Sequence, residues 1–508
     1  MRAMDTTPLW LDPVRHPPFP RLQRDLDADV AVIGGGLMGV TAAYLLKRAG
    51  RSVALVERGR CLHGESGHTT AHVTAVTDLR LRQLGAIFGD ENARAVWDAG
   101  AAAIDRIFGL IRAEGIACDF RWVPGYVTAP LDGAGKKDRA DLEEEAKRAA
   151  ELGIAASFVE AVPFLGLPGV RFEQQALFHP VKYLSALLGK IPGQGGQVFE
   201  ESGVTAIEAQ PLAVCVGPHR IRCRDVVIAT HSPMATTGSA LGAALFQTKL
   251  SLYTTYAIGA RIPSGLTPAA SFWDTADPYH YLRIEPRGDH DYAILGGEDH
   301  KTGQAGDTAA AFRRLEERLA RLVPGAQVDH RWSGQVVETN DGLPFIGDFA
   351  VHQFGATGFA GNGMTFGTLG AMMAADAITG VKNPWEKLFS PGRKTLIGGT
   401  ASYLVENKDY PYYLLRDRLG PAEAGTVDDL SLNEGRVLRI EGRKVAAYRD
   451  ATGKITLCSP VCTHLKCIVA WNQAEQTWDC PCHGSRFKPT GEVISGPAEA
   501  PLEKLHLI

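Results

Sequence analysis

Residues 29–57 read DVAVIGGGLMGVTAAYLLKRAGRSVALVE, and this stretch decides the fold of the first part of the chain. Residues 29–33 are a short apolar run typical of a buried strand, and three glycines follow at once. Residues 40–48 carry apolar side chains at helical spacing, and residues 51–56 form a second apolar run. The stretch therefore predicts a strand, a glycine turn, a helix and a second strand, which together begin a doubly wound α/β domain.

The glycines and the acidic residue of this stretch indicate a dinucleotide site. Gly34 permits a tight turn, Gly36 lets the backbone approach a pyrophosphate, and Gly39 lets the helix pack closely on the strand. The helix N-terminus offers N–H groups and positive dipole to the phosphates. Glu57 ends the second strand, where a carboxylate accepts hydrogen bonds from a ribose 2′-hydroxyl and repels a 2′-phosphate. A coincidental glycine-rich turn is the alternative, but strand, helix and acidic residue are all in place.

A second motif lies near the other end of the chain, where residues 462–467 read CTHLKC and residues 480–485 read CPCHGS. This pattern is typical of a Rieske 2Fe-2S cluster, in which two thiolates hold one iron and two imidazoles hold the other. The predicted ligands are Cys462, His464, Cys480 and His483. Structural zinc is the rival interpretation, but zinc ligand pairs are usually two to four residues apart, unlike the Cys-x-His pair here. The cluster makes electron transfer the chemistry of this chain.

The same two loops resemble those of Rieske proteins of the cytochrome bc type. The resemblance implies that Cys467 and Cys482 form a disulfide that joins the loops, so that neither is a ligand. In the resembled high-potential proteins, a serine and a tyrosine donate hydrogen bonds to sulfur and raise the reduction potential. Here Ser485 matches the serine, whereas Phe487 replaces the tyrosine. We therefore expect an intermediate potential.

Five further segments resemble the D-amino-acid oxidase and glycine oxidase family, whose dinucleotide is FAD. They are 58–72 (RGRCLHGESGHTTAH), 225–230 (DVVIAT), 331–334 (RWSG), 341–347 (DGLPFIG) and 356–365 (ATGFAGNGMT). The nearest resemblance is to bacterial FAD oxidoreductases of this family that carry a C-terminal Rieske domain. Besides Gly34, Gly36, Gly39 and Glu57, this resemblance implies that further residues contact FAD: Ser66, Thr69, Thr70, Gly358, Gly361, Gly363, Met364 and Thr365.

The resemblance also implies a doubly wound α/β FAD-binding domain with an inserted β-sheet that covers the flavin and holds substrate. At 508 residues the chain is long enough for two or three domains. We expect an oxidoreductase part at 28–393, a linker at 394–425 and a small all-β Rieske domain at 426–508. The FAD-binding stretches are expected near 28–105, 175–240 and 325–393, with the substrate domain in the intervening segments.

Candidate substrate contacts lie in the inserted sheet. They are Tyr253, Tyr256, Tyr281, Arg283 and the stretch 298–301, which contains His300 and is expected to form a turn. Tyr281 and Arg283 alternate, so both side chains would point to one face of a strand. In amino-acid oxidases an arginine and a tyrosine on this sheet hold the substrate carboxylate, a bidentate role that suits guanidinium. An exposed strand arginine without such a role is the alternative.

Three histidines, His63, His68 and His72, have spacings similar to those of metal ligands. A Rieske oxygenase would need two histidines and a carboxylate on a separate iron. These histidines fall inside the flavin-type loop, and no oxygenase-like domain is recognisable, so a mononuclear iron site is disfavoured. Covalent attachment of FAD through His68 or His72 stays open, because histidine in this loop region tethers FAD in some relatives.

Charge and hydropathy exclude other classes of protein. The net charge of −4 and the pI near 6.4 leave no basic footprint for nucleic acid. Residues 1–24 lack the apolar core of a signal peptide, and no uninterrupted apolar stretch approaches the length of a membrane span. The four cysteines outside the Rieske segment are scattered, as a reducing compartment allows. We expect a cytoplasmic protein.

The two cofactors together predict an electron relay. A flavin takes two electrons from a C–H bond, whereas a cluster accepts one at a time. We expect an amine or amino-acid-like substrate to be oxidised at FAD, with electrons leaving through the cluster to an external carrier. Two alternatives stay open: a reductase fed by an external donor, and an electron-transfer module for a partner oxygenase. No second dinucleotide fingerprint is visible, which disfavours direct use of NAD(P)H.

Overall fold

The computed structural model describes residues 5–11, 16–232, 249–393, 413, 416 and 425–505. Most of the predicted linker, 394–425, lies outside the described residues. The described α-helices are α1 (Leu37–Arg48), α2 (Glu65–His68), α3 (Leu81–Phe88), α4 (Asp90–Glu114), α5 (Lys136–Glu151), α6 (Pro180–Gly189), α7 (Thr308–Leu322), α8 (Gly363–Thr379) and α9 (Glu386–Phe389). A 3-10 helix covers Val427–Asp429. Within these ranges no helix is both long enough and apolar enough to cross a membrane.

The strands of the first half are β1 (Leu26–Asp27), β2 (Val30–Ile33), β3 (Val53–Val56), β4 (His72–Val73), β5 (Arg121–Thr128), β6 (Ala156–Val159), β7 (Gly169–Leu177), β8 (Gly196–Phe199), β9 (Ala206–Ala209), β10 (Leu212–Val216), β11 (His219–Arg222), β12 (Asp225–Ile228) and β13 (Leu250–Ile262). Those of the second half are β14 (Ala270–Asp274), β15 (Tyr281–Pro286), β16 (Asp291–Lys301), β17 (Gln327–Thr339), β18 (Phe345–Ala350), β19 (Gln353–Thr357), β20 (Glu434–Ile440), β21 (Arg443–Arg449), β22 (Ile455–Cys458), β23 (Ala470–Asn472), β24 (Thr477–Asp479), β25 (Arg486–Phe487) and β26 (Val493–Ser495).

A six-stranded sheet forms the centre of the first domain, in the order β18-β19-β12-β2-β3-β8. Its strands from β19 to β8 are parallel, and β18 is an antiparallel edge strand. Every residue of β2 and β3 is buried, because helices α1, α4 and α8 cover one face and the small sheet β1-β11-β10-β9 covers the other. This architecture confirms the predicted doubly wound α/β domain.

A nine-stranded sheet forms the second layer, in the order β17-β13-β16-β15-β14-β5-β7-β4, with β6 also paired to β7. Helix α7 covers one face, because its apolar stripe of Ala311, Phe312, Leu315 and Leu319 packs on buried residues of β13, β14, β15 and β16. The other face turns towards the first domain. Strands β4 and β17 belong to this sheet although they come from stretches predicted to bind FAD.

The C-terminal domain is all β, as predicted, and contains the antiparallel sheets β20-β21-β22 and β23-β24-β25-β26. Its core includes the fully buried Trp478 and Phe487. The domain packs on the nine-stranded sheet through the loop at residues 480–485. A Cβ atom at Gly303 would lie 2.7 Å from the Pro481 nitrogen, and one at Gly484 would lie 2.5 Å from Leu252 Cβ. Both close approaches require glycine.

Candidate active site

A cavity of about 910 Å³ lies between the two large sheets. One end is lined by the glycine turn at residues 34–36 and by Glu57. The other end is lined by Tyr279, Tyr281 and the residues that begin α8. The cavity therefore joins the predicted dinucleotide site to the inserted sheet, and its size suits a large ligand together with a small one.

The glycine turn is shaped for close approach by a ligand. Gly34 has a φ of +108°, and a Cβ there would lie 2.4 Å from the Ala229 carbonyl oxygen. A Cβ at Gly39 would lie 1.9 Å from the Gly34 oxygen, so Gly39 serves helix packing and not cavity lining. Gly36 is the N-cap of α1 and provides no side-chain cap, while the Leu37 N–H donates to Ser66 Oγ at 2.8 Å. The other N–H groups at this helix end fit a pyrophosphate.

Glu57 faces the same end of the cavity. Its Oε2 accepts a hydrogen bond from the Gly35 N–H at 2.7 Å, and its Oε1 accepts one from the Gly59 N–H at 2.8 Å. A carboxylate has about four acceptor positions, so each oxygen keeps one for a ribose hydroxyl. Ser66, Thr69 and Thr70, the predicted FAD contacts of the flavin-type loop, also line the cavity.

The remaining predicted FAD contacts lie near the start of α8, and only some of them line the cavity. Gly361, Gly363 and Met364 line the cavity. Gly358 and Thr365 lie behind it and shape the loop. Gly358 has a φ of +77° and packs against Thr339, while Thr365 Oγ1 donates to the Thr74 carbonyl oxygen at 2.7 Å.

The predicted cluster ligands meet in the C-terminal domain. The Cys462 and Cys480 thiols are close enough to hydrogen-bond, which lowers the pKa of Cys462 and raises the pKa of Cys480. The rings of His464 and His483 lie 5.0 Å apart, nearly perpendicular. Burial lowers the pKa of His464 to about 4 and of His483 to about 3, so both imidazoles are neutral, the form that binds metal. His464 Nδ1 is enclosed and has no hydrogen-bond partner among the described residues, which fits a metal ligand.

A disulfide joins Cys467 to Cys482, as the resemblance implied, and connects the two cluster loops. Because both sulfurs are used in this bond, neither is a candidate ligand, although the Cys480 sulfur lies within 4.8 Å of both. The Ser485 hydroxyl hydrogen-bonds to the Cys462 thiol and accepts from the Ala498 N–H at 3.1 Å. Such a hydrogen bond to a ligand sulfur raises the potential of a cluster.

Gln335, which sequence reasoning missed, connects the cavity to the cluster loop. It lines the cavity, and its backbone N–H donates to Glu65 Oε2 at 2.7 Å. Its Nε2 donates to the Gly484 carbonyl oxygen at 2.7 Å, and its Oε1 accepts from Ser495 Oγ at 3.0 Å. Since Gly484 follows His483 directly, a single side chain separates the cavity from the backbone beside a proposed ligand.

Arg486 of the C-terminal domain also lines the cavity. Its Nε lies 3.4 Å from Asp479 Oδ1, and its Nη2 lies 3.7 Å from Glu475 Oε2. Burial disfavours the charge of Arg486, but these two carboxyl groups raise its pKa, so the side chain remains a cation. The Rieske domain therefore places a charged side chain in the wall of the cofactor cavity and pairs it with two of its own carboxyl groups.

The far end of the cavity is an acidic compartment, which we define by six lining residues: Asp78, Asp299, His72, Trp273, Tyr279 and Tyr281. The His72 ring lies 5.3 Å from the Trp273 ring and 5.8 Å from the Tyr281 ring. The Tyr279 and Tyr281 rings are 5.9 Å apart. Of these residues the sequence predicted only Tyr281 as a key contact.

Burial sets the charges of the acidic compartment. Asp78 is open to the cavity but densely surrounded by protein atoms, and this burial raises its pKa to about 6. Burial raises the pKa of Asp299 to about 7, and the charge of Asp78 acts in the same direction. A hydrogen bond from Thr255 acts in the opposite direction and lowers this pKa. Burial and the charge of Arg283 lower the pKa of His72 to about 3. At neutral pH the compartment therefore carries negative charge and a neutral imidazole.

The structure places Tyr256 and His300 away from this compartment. Thr255 and Ala257 line the cavity, so Tyr256 points to the opposite face of β13, where it contacts Phe312 at a ring distance of 5.0 Å. His300 stacks on Tyr256 at 5.6 Å. Residues 298–301 are the end of strand β16 and not a turn, because β16 stays paired with β13 to Lys301. Asp299, and not His300, faces the cavity.

Arg283 lies beneath the flavin-type loop and does not line the cavity. Its side chain is fully buried, pairs with Glu285, and donates from Nη1 to the Thr70 and Ala71 carbonyl oxygens at 3.1 and 3.0 Å. Trp10 covers it at 5.1 Å. The alternation with Tyr281 holds, but the loop at residues 70–71 fills the space in which a substrate carboxylate would have to lie.

The three histidines of the flavin-type loop do not assemble a metal site. His63, His68 and His72 all line the cavity, but their ring nitrogens do not gather within 4.8 Å of one another. His68 Nδ1 lies 3.0 Å from the Gly64 carbonyl oxygen.

The two layered sheets, the glycine turn and the cluster loops define a flavoprotein oxidoreductase with a Rieske centre. Residues 29–377 match the family described as FAD dependent oxidoreductase, and residues 421–506 match the Rieske 2Fe-2S domain. The chain belongs to this FAD-dependent oxidoreductase family and carries a C-terminal Rieske domain. It is therefore an enzyme that uses FAD and a 2Fe-2S cluster.

Three known proteins illustrate the relationship. The chain is 33% identical over 505 residues to the Rieske 2Fe-2S iron-sulfur protein YhfW of Bacillus subtilis (strain 168), covering 98% of this chain and 97% of that protein. It is 24% identical over 423 residues to gamma-glutamylputrescine oxidoreductase of Escherichia coli (strain K12), covering 80% and 96%. Its fold is similar to glycine oxidase from Geobacillus kaustophilus, with a TM-score of 0.59, 20% identity, and coverage of 73% and 99%.

Proposed function

We propose that this protein oxidises a small amine or amino-acid-like substrate at FAD and passes the electrons through the Rieske cluster to an external acceptor. Support for the substrate class comes from relatives whose names include gamma-glutamylputrescine and glycine, both amino compounds. We place the reaction in the cytoplasm, because four thiols outside the Rieske segment are unpaired: Cys61, Cys118, Cys215 and Cys223.

The proposed cluster ligands are Cys462, His464, Cys480 and His483, held in register by the disulfide between Cys467 and Cys482. The proposed FAD contacts are those that line the cavity at its glycine end and at the start of α8. When bound, FAD supplies two-electron oxidation of a C–H bond next to nitrogen, and the cluster supplies one-electron transfer. The protein's own part is to hold both groups close together and to exclude water between them.

One observation carries the proposal: Gln335 lines the cofactor cavity and hydrogen-bonds to the Gly484 carbonyl beside His483. Gln304 adds a second bond to the same loop, from its Nε2 to the Pro481 carbonyl oxygen at 2.9 Å. A loop fixed in this way does not need to move to exchange electrons with the cavity. The buried position of Gln335, only 3% exposed, keeps solvent out of the connection.

The overall reaction balances without another cofactor. The substrate C–N single bond becomes C=N with loss of two electrons and two protons. Water adds to the imine carbon, and the C–N bond then breaks to give a carbonyl compound and a free amine. The two electrons leave one at a time to two equivalents of a one-electron carrier, or to one carrier in two steps.

The test uses the purified full-length holoprotein under anaerobic conditions. N-methyl amino acids and simple amines are added in turn, while flavin absorbance and the electron paramagnetic resonance of the reduced cluster are followed. We expect flavin bleaching first and the cluster signal afterwards. NADH is the matched donor control.

Two other outcomes would replace the proposal. Reduction by NADH but by no amine would indicate a reductase. Reduction of the cluster by a protein donor, with neither NADH nor amines active, would indicate an electron-transfer module.

A further inference from the structure

The acidic compartment contains two carboxyl groups and, within the described parts of the chain, no lysine or arginine. The basic residues that line the cavity lie elsewhere: Arg58 and Arg60 follow Glu57, and Arg486 and Lys488 belong to the Rieske domain. Arg58 Nη2 donates to the Ile494 carbonyl oxygen, and Arg60 pairs with Glu200 at 3.1 Å. Among the residues that line the compartment, a substrate carboxylate would thus meet two acidic groups and no cationic partner, although Arg80 acts on Asp78 and Arg283 on His72 from outside the lining.

Two atoms of the compartment lack partners among the residues that the structure describes. They are Asp299 Oδ1 and His72 Nε2, and protein atoms enclose both. Leaving a buried carboxylate oxygen unpaired is unfavourable, so such an atom in a cavity wall indicates a ligand that donates to it. An ammonium group has donors and no acceptor, which matches Asp299.

The aromatic rings of the compartment suit the same ligand. Trp273 and Tyr281 lie beside His72, and Tyr279 lies beside Tyr281. The faces of aromatic rings attract a cation most strongly where water is excluded. The Tyr281 hydroxyl is fixed by Thr255 Oγ1 at 2.7 Å, and the Tyr279 hydroxyl hydrogen-bonds to Asp78. The rings are therefore held in position before a ligand arrives.

The compartment also adjoins the predicted flavin contacts. A Cβ at Gly361 would lie 2.9 Å from the Tyr279 hydroxyl oxygen and 3.8 Å from Asp78 Oδ2. Gly361 itself lines the cavity just before α8. A ligand held by these side chains would thus lie beside the segment that we assign to FAD.

We propose that the substrate is a positively charged amine without a carboxylate, recognised by Asp78 and Asp299 and by the rings of Trp273, Tyr279 and Tyr281. This inference rests on the proposed oxidation of an amine at FAD and narrows it. The position of Arg283 agrees with it, because the arginine that could have bound a carboxylate is used to support the loop at residues 70–71.

Binding of the cation should depend on pH. The raised pKa values of about 6 for Asp78 and about 7 for Asp299 mean that both carboxyl groups lose charge as the pH falls from 8 to 5. Cation affinity should therefore rise with pH across this range. The other titratable or charged groups that face this pair are Arg80, His280, Glu298, Tyr279, Tyr281, Glu338 and His72.

The test measures binding without turnover. Holoprotein is titrated with 2-phenylpropan-2-amine, which carries a hydrogen-bonding ammonium group but no hydrogen on the carbon next to nitrogen, so that it cannot form an imine. It is titrated separately with phenylacetate, an anion of similar size, while the flavin spectrum is recorded. At pH 8 we expect the cation to bind at least about tenfold more tightly than the anion, and its affinity to fall at pH 5. Tighter binding of phenylacetate would overturn the inference.

Two variants separate recognition from a general effect of charge. Asp299→Asn and Asp78→Asn should each weaken cation binding about tenfold and flatten its pH dependence, with FAD content unchanged. Asp289→Asn removes one charge from the turn between β15 and β16, at a side chain that is 92% exposed, and should leave binding unchanged. Cation affinity within twofold of the wild type in both compartment variants would overturn the inference.

The same samples distinguish this inference from the proposed function. Cation binding that needs Asp299, in protein whose flavin no amine reduces, supports the cation compartment and contradicts amine oxidation. Reduction by amino acids but not by amines lacking a carboxylate supports amine oxidation and overturns the cation compartment.

Discussion

The cluster site and the acidic compartment are built from the chain in different ways. All four proposed cluster ligands lie within residues 462–483 of one small domain, and a disulfide ties their two loops together. The acidic compartment takes its side chains from loops and strands at residues 72–78, 273–281 and 299. The first site depends on local spacing, whereas the second depends on how the two large sheets meet.

This difference has physical consequences for mutation. A ligand lost from the cluster site should leave the domain folded, because the disulfide between Cys467 and Cys482 still ties the two cluster loops together. The acidic compartment has no such independence. Its carboxyl groups are kept near neutral pKa values by burial between domains, so they report on the closure of the whole cavity.

The largest expected effect tests the independence of the cluster site. Cys480→Ser should abolish the cluster, because serine is a poor ligand for iron at neutral pH, while FAD content and substrate-driven flavin bleaching remain. Iron analysis and the visible spectrum measure the outcome. Cys458→Ala, at a buried cysteine of the same domain that is not a proposed ligand, should keep the cluster. Loss of FAD together with the cluster would show that the two sites are not independent.

A smaller effect is expected at the dinucleotide end of the cavity. Glu57→Ala removes the acceptors for a ribose and leaves the Gly35 and Gly59 N–H groups unpaired. FAD affinity should fall by roughly 30-fold, about 2 kcal/mol, with an unchanged cluster spectrum. Glu57→Gln keeps one acceptor oxygen, so its FAD affinity should lie between that of Glu57→Ala and that of the wild type. Fluorescence titration of apoprotein with FAD measures this, and an unchanged affinity would remove Glu57 from the site.

The contrast between the sites also explains what the sequence could predict. Cluster ligands and glycine turn appear as contiguous motifs, because each is formed within one or two loops. Asp78 and Tyr279 were missed, since a single aspartate or tyrosine near a turn looks like an ordinary polar residue. Asp299 lies in the stretch 298–301 that the sequence indicates as a substrate contact, but the sequence analysis favours His300 within that stretch. The choice of face depends on a bulge in β16, where Glu298 and Asp299 together lie opposite Thr255 of β13, and no spacing rule indicates this bulge.

Arg283 illustrates a second limit. Its alternation with Tyr281 correctly predicted a shared strand face, but not the loop that covers one of the two side chains. The role of Gln335 could not be predicted from the sequence for a related reason. Its partners include Glu65 of the first domain and Gly484 and Ser495 of the C-terminal domain, so its role exists only after those domains dock.

The connection between the domains gives the next prediction in size. Gln335→Leu removes the hydrogen bonds to Gly484 and Ser495 and leaves a buried carbonyl unpaired. Electron transfer between flavin and cluster should slow by up to about tenfold, the cost of about 1.4 kcal/mol, while flavin reduction by substrate keeps its rate. Stopped-flow absorbance separates the two steps. Gln304→Leu is the matched control, because Gln304 binds the same loop without lining the cavity.

The last expected effect is on stability and not on activity, and it concerns the acidic compartment. Burial raises the pKa of Asp299 to about 7 from 3.8, so the folded protein binds a proton that the unfolded chain releases between these pH values. Stability therefore falls as the pH rises through this window, and the full cost of the charge is present above pH 7. Asparagine has no such cost. Asp299→Asn should thus stabilise the protein at pH 8 by about 1–3 kcal/mol, with a gain that shrinks steadily towards pH 4. Thermal unfolding from pH 5 to pH 8 measures the trend, and a gain independent of pH would mean that Asp299 is not a buried ionisable group.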